Sequence, residues 1–337
     1  MDLTQNLPGP LATLMLADLG ARVVKVEPPD GDPVRHLHPE VDGASPLFHA
    51  LNRGKLSVCL DLKTREGRDK LLHLLGASSI VVEGFRPGVL ERLELDPRVL
   101  VRRFSQLTVV RLSGFGQRGA FAERPGHDLN FLAASGALYG TSPPNPPTFQ
   151  AADVAAALLC VGRVLAHLLQ AATGELGTED KVVDVAILDA AALLAFPRAA
   201  REQSGEDTSP GKGILEGGVP TYRLFETRDG RTVAVGALEP KYAHEVMSGL
   251  GAATPKDLAA CIESLAADEI AVLSLPCVSP VEHPVEALGR EPLSSRGLSR
   301  EMKSSRGPIL LPVTPFTREV PAGPWAPTLG QHDHVLF

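Results

Sequence analysis

The chain has 337 residues, enough for one large compact unit and a smaller one, because single cores stop growing near about 250–300 residues. Hydrophobic residues make up 44% and charged residues 22%, the balance of an ordinary globular protein, which excludes disordered and collagen-like classes. A formal net charge of −7 argues against a general nucleic-acid binder.

In chain order, Pro8-Gly9-Pro10 followed by LATLMLADLG predicts a helix entered through proline and closed by Gly20, and ARVVKVE predicts a strand. The alternation continues with SVCLDL as a strand, TREGRDKLLHLLG as a helix capped by Thr64, and SIVVEGF as a strand. DPRVLVRRFSQL then predicts a helix with Asp96 as cap and Pro97 in its first turn, and TVVRLSGFG another strand. Two helices are expected near Leu129–Leu138 and Val154–Ala172, then the strand KVVDVAI and a helix around Leu188–Ala200. Strands that are apolar nearly throughout, alternating with helices, imply a parallel sheet covered on both faces. The longest apolar helix is interrupted by Arg163 and His167, so no membrane span is expected.

Beyond Arg201–Gly218, a Gly-, Ser- and charge-rich linker, TYRLFETRDGRTVAVGAL reads as a hairpin around Asp229-Gly230. The expected division is therefore a large domain of residues 1–200 plus 300–337, and a linker with a small α+β domain over 201–299. The proline-punctuated end is expected to wrap across a surface. Cys59, Cys160, Cys261 and Cys277 lie far apart with no C-x-x-C pair and no secretory leader before them, which points to a reducing cytoplasmic setting without disulfides or zinc. His332-Asp333-His334 and His36/His38 are expected to be solvated, and no metal is assigned.

Local charge departs from the whole. Between Arg53 and Arg103 there are 11 Lys/Arg against 7 Asp/Glu, a net of +4, suited either to a solvated face or to a phosphorylated ligand. GFGQRG (114–119) matches G-x-G-x-x-G, but no helix starts at its third glycine and no acidic residue follows about 20 positions on, so a dinucleotide site is not expected. The glycines read instead as a sharp turn at the carboxyl end of a strand. No G-x-S-x-G elbow is present, which argues against a serine hydrolase.

PGHDLNFLAASG sets His127 beside Asp128 at the start of an apolar helix. The structural reading is that Asp128 caps that helix and His127 is solvated. FQAADVAAALLC places Asp153 at the start of an alanine-rich helix, where it is either an N-cap or a carboxylate whose pKa is raised by burial and lowered by the helix terminus. Glu239, in VGALEP, ends a strand before a proline.

LPGPLATLMLADLGARVVKVEPP, NRGKLSVCLDLKTREGR, VVEGFRPGVLERL, RLSGFGQRG, GHDLNFLAASGAL, the Asp153 segment, VGALEP and CVSPV run in one order over nearly the whole chain. Together they resemble family III coenzyme A transferases (the CaiB/BaiF group), within it the α-methylacyl-CoA racemase branch. The resemblance implies a Rossmann-like large domain with a smaller α+β domain, an interlocked homodimer, an acyl-CoA substrate and no separate cofactor. It implies that His127 and Asp153 work on opposite faces of the carbon next to a thioester, one removing the α-proton and the other returning it, with Glu239 orienting or charging the imidazole. Backbone N–H groups at the start of the Asp153 helix or by Gly126–Asp128 are expected to hold the enolate oxygen. Arg53, Lys63, Arg86 and Arg92 match CoA-contacting segments, with backbone at Leu60 at the adenine end. Alternatives are a CoA-transferase in which Asp153 is the nucleophile, and a CoA-binding homologue without turnover.

Three departures are also legible. The chain opens directly on DLTQNLPGP, so either the first strand is shortened or the start is unusual. Val154-Ala155-Ala156-Ala157 replaces a glycine run, and its methyl groups are expected to stand near the acyl thioester. The small domain is expected to be reduced between Gly251 and LPCVSPV.

Overall fold

The computed structural model describes residues 1–140, 146–174, 176–317 and 326–337. Its chain divides into two units, one of residues 1–138, 146–194 and 288–337, the other of 139–145 and 195–287. The expected boundaries at 201 and 299 are thus displaced. The helix expected near Leu188–Ala200 runs on from Ile187 to Gln203 across the division between residues 194 and 195, and the helix Pro284–Gly289 runs across the division between 287 and 288.

The first unit is built on a six-stranded, wholly parallel sheet. Its strands are β1 (Asp2–Leu3), β2 (Val24–Glu27), β3 (Leu56–Cys59), β4 (Ile80–Glu83), β5 (Thr108–Ser113) and β6 (Val182–Ala186), in the order β3-β2-β1-β4-β5-β6. This is the doubly wound order, in which the path reverses between β1 and β4 and opens a crevice at their carboxyl ends. The short β1 lies in the middle of the sheet, where Asp2 pairs with both Lys25 and Val82.

The connecting helices are α1 (Pro8–Asp18), α2 (Pro46–Asn52), α3 (Arg65–Gly76), α4 (Val89–Arg92), α5 (Pro97–Arg103), α6 (Asp128–Ala134), α7 (Ala151–Thr173) and α8 (Ile187–Gln203). Caps act where the sequence places them: the Thr64 hydroxyl accepts from Gly67 N–H and the Asp96 carboxylate from Arg98 N–H. Successive strand residues enter opposite cores. Val82 and Val110 join one cluster with α1 and α7, while Val81 and Val109 join another with α3 and α5. Burial on both faces explains why these strands show no polar alternation.

α7 is long and apolar enough, by length and composition, to cross a membrane. One stripe of it, Ala152, Ala156, Cys160 and Val164, is buried in the core that includes Ala12, Met15 and Leu16 of α1. Ala156 and Ala157 are fully buried there, so the expectation that their methyl groups stand at a thioester does not hold; only Val154 and Ala155 of that run are even partly exposed.

The end of the chain is more regular than expected. β10 (Ser299–Met302) and β11 (Ile309–Pro312) form an antiparallel hairpin, and a short helix, Asp333–Leu336, closes the chain; the part of the expected surface wrap at 318–325 lies outside the described residues. His332 and Asp333 are not simply solvated. Ser57 N–H donates to His332 Nδ1 (3.1 Å), His332 N–H donates to Ser57 O (3.0 Å), and Cys59 N–H donates to Asp333 Oδ1 (2.9 Å). β3 is the edge strand, and these contacts occupy backbone groups that an edge otherwise leaves open.

The second unit holds β7 (Tyr222–Glu226), β8 (Thr232–Gly236) and β9 (Val278–Pro280) in one antiparallel sheet with α9 (Pro240–Leu250), α10 (Leu258–Glu263) and α11 (Ala267–Val272). Val233, Val235, Val246, Leu258, Ile262 and Ile270 form its core. The hairpin turns at Asp229-Gly230 as the sequence indicates.

Candidate active site

β5 ends at Ser113, and the glycine-rich loop after it leads to His127 at the N-cap of α6. Two glycines set how this loop and helix meet. A Cβ on Gly114 would lie 2.7 Å from Phe131 Cζ, and one on Gly126 would lie 2.9 Å from Phe131 Cε1. Phe131 is buried between them, with Phe115 edge-on at 5.0 Å between ring centroids. Gly114 and Gly126 are clearance for an aromatic wedge, so the first glycine of GFGQRG has a packing role.

Asn130 supplies the other half of the helix start, its Oδ1 accepting from His127 N–H at 3.0 Å. The backbone of His127 is thereby held while its side chain stays exposed. Asp128 does not cap its own helix. Its Oδ1 accepts from the Asp153 N–H at 3.0 Å, so the carboxylate caps α7 instead and ties two helix starts together. Asp153 is the third residue of α7 and not its N-cap, which is Gln150.

These placements bring His127, Asp128 and Asp153 into one electrostatic group. Burial, then the neighbouring Asp128 charge, push the Asp153 carboxyl up to about 6, while the positive charge of His127 pulls it down. Desolvation and a like charge therefore outweigh the nearby imidazole. A carboxyl that titrates close to neutrality, next to an imidazole, can both give and accept a proton.

Glu239 belongs to the second unit, at the N-cap of α9, with its side chain exposed and without a hydrogen-bond partner among the described residues.

The four cations singled out for phosphate separate into two kinds. Arg53 is 7% exposed, and its guanidinium pairs bidentately with Asp18 at 2.7 Å for both contacts. The same carboxylate accepts from the hydroxyls of Thr314 (2.6 Å) and Thr317 (2.8 Å). Asp18 thus fastens both Arg53 and the returning C-terminal segment to α1, and the charge of Arg53 is neutralised inside the protein. Lys63, Arg86 and Arg92 are exposed, and none has an ion-pair partner among the described residues. Lys63 follows β3, and Arg86 and Arg92 follow β4 at the crevice beside β1. Leu60 extends the parallel ladder by one residue, its N–H donating to Glu27 O at 2.9 Å, so that amide is not open to an adenine.

Sequence reasoning missed Asn130, Phe131 and the cross-helix role of Asp128. Asn130 has a signal, because it stands three residues after His127 as in a capping box. The other two depend on neighbours distant in the chain.

The profile of CoA-transferase family III matches residues 1–333. Human α-methylacyl-CoA racemase is 37% identical over 258 residues, covering 74% of this chain and 63% of the human protein. A probable fatty acyl-CoA transferase of Mycobacterium tuberculosis, Rv3272, is 36% identical over 260 residues, covering 72% of this chain and 65% of that protein. The matched stretch is thus slightly under two thirds of each relative's length. The crystal structure of Rv3272 superposes with a TM-score of 0.80 at 27% identity, covering 100% of this chain and 97% of that one. A CaiB/BaiF family protein from Brucella suis shares the fold, with a TM-score of 0.82 at 24% identity.

Proposed function

The chain belongs to CoA-transferase family III, and from that premise we propose that it inverts the carbon next to an acyl-CoA thioester by removing and returning the α-proton. The observation that carries this reading is that Asp153, its carboxyl raised by burial and by Asp128, lies within the electrostatic reach of His127. Inversion requires a base on one face and an acid on the other, and a single group cannot serve both. The imidazole and the raised carboxyl together carry one proton in the working state, whichever enantiomer enters.

The intermediate is an enolate, whose oxygen needs fixed donors. The amide of Ala151 donates to Phe149 O, that of Asp153 donates to Asp128, and Ala152 is fully buried, so we assign those donors to the Gly126–Asp128 turn rather than to the start of α7. The unpaired Lys63, Arg86 and Arg92 are the groups assigned to the phosphates of coenzyme A, in keeping with the crevice at the sheet's reversal point.

Incubation of 2-methylacyl-CoA thioesters in deuterated water, with no CoA acceptor present, tests the chemistry. Deuterium is expected at the α-carbon together with loss of optical purity. Its absence across a series of acyl groups, with CoA exchange between acids instead, would establish the transferase reading, in which the Asp153 carboxylate attacks the thioester carbonyl. The 36% identity to the fatty acyl-CoA transferase keeps that second reading in view.

A homodimer is part of the same proposal. α7 presents Val154, Leu158, Leu165 and Leu169 to solvent, the last 68% exposed, along the side opposite its buried stripe. An apolar stripe of this length on a charged, soluble-type sequence calls for a cover, and a second copy of the chain meets it with the same surface. Light scattering is expected to return twice the chain mass of 35.7 kDa, and a monomer at micromolar concentration would refute it.

A further inference from the structure

At the carboxyl ends of β4 and β5 the sheet buries an ion pair where two aliphatic residues would pack as well. Glu83 ends β4, is fully buried, and stands in register opposite Arg111 of β5. Arg111 Nε donates to Glu83 Oε1 at 2.7 Å, while Nη1 and Nη2 donate to the two oxygens of Glu91, on α4, at 2.9 and 3.4 Å. The free oxygen of Glu83 accepts from Phe85 N–H at 2.7 Å. A single guanidinium on β5 therefore holds both ends of the segment 84–92, its entry through Glu83 and Phe85 and its exit through Glu91.

That segment carries Arg86 and Arg92. Leu90, 3% exposed, pins its middle to the core, and Gly88, at φ +79, turns the chain into α4. A buried ion pair is a poor way to gain stability, because desolvation offsets most of the Coulomb attraction. It is a good way to hold backbone in one place, since its donors and acceptors are directional.

Resting on the reading of Arg86 and Arg92 as phosphate ligands, we infer that Glu83, Arg111 and Glu91 are positioning residues that brace the phosphate-binding segment against β5. None of the three touches the ligand in this account. They act by fixing the backbone from which the two arginines reach the crevice.

Glu91 offers a test in which charge and brace predict opposite signs. It is the outer, partly exposed member of the network, so its replacement leaves the buried Glu83–Arg111 pair intact. If it were only a negative charge near an anion site, Glu91→Ala would tighten CoA binding. As a brace, Glu91→Ala is expected to weaken CoA binding about tenfold, because a displaced ligand group loses most of its contact. Glu91→Gln keeps an amide oxygen for the guanidinium and is expected to stay within about threefold of the parent.

Calorimetric titration with CoA and with pantetheine, which lacks the phosphates, reads both variants directly. Pantetheine binding is expected to be unchanged. Tighter or unaltered CoA binding by Glu91→Ala, equal weakening by Glu91→Gln, or parallel loss for pantetheine overturns the brace. Failure of the parent protein to bind CoA would instead overturn the functional reading, and the brace with it.

Discussion

Asp153→Asn is expected to lower inversion, and α-proton exchange of the enantiomer whose α-proton faces Asp153, by about 10³-fold or more, the scale of a lost general acid–base, and at the same time to make the protein more stable at neutral pH. The two effects share one cause. Burial and the Asp128 charge raise the Asp153 pKa from 3.8 to about 6 in the folded chain, so the native state holds a proton there more tightly than the unfolded chain does. The stabilising influence of that proton is complete below about pH 3.8 and is lost as pH rises through about 6. Above that, an ionised carboxylate sits in a poorly solvated place. The shift of about two units corresponds to about 3 kcal/mol, and partial exposure of the group reduces this to about 1–2 kcal/mol. Asparagine carries no charge to desolvate, so a gain of about 2–4 °C in melting temperature is expected at pH 7.5, vanishing below pH 4. A variant that keeps a tenth of its activity, or melts lower at pH 7.5, would contradict the assignment.

His127→Gln separates the two faces of the reaction. Inversion needs both groups and is expected to fall by about 10³-fold or more. Exchange needs only the base on one side, so deuterium uptake is expected to persist for the enantiomer whose α-proton faces Asp153 and to disappear for the other. Each enantiomer incubated separately in deuterated water, with product analysed by mass and optical purity, reads this out. Equal uptake by both would show that one group reaches both faces. In the parent protein the rate is expected to follow a bell in pH for either direction, because the working pair carries one proton in total. Its acid limb belongs to protonation of Asp153, near pH 6.

The elements were legible because their signals are local. Thr64, Asp96 and Pro97 start helices by contacts within three residues, and the strands around Val81-Val82 and Val109-Val110 declare burial on both faces by being apolar throughout. Where the reading missed, the deciding contact lay far along the chain. Arg53 looked like its neighbours Lys63 and Arg86, yet its charge is taken up by Asp18, 35 residues away. Leu60 looked available until β2 was placed beside it. The His332-Asp333 pair looked solvated until the edge of β3, some 275 residues earlier, was found to need it.

The amino-acid sequence alone determined the alternation of strands and helices, the parallel sheet, the second small α+β unit, the family, and the presence of an imidazole and a carboxylate at two separate helix starts. These follow from periodicity, capping and motif order, which are properties of neighbours in the chain. Only the tertiary structure decided that Asp128 caps the helix of Asp153 across 25 residues, that the carboxyl beside it titrates near neutrality, and which cations stay unpaired. The physical reason is that desolvation and ion pairing depend on what covers a group, and the cover comes from segments whose identity no local pattern records.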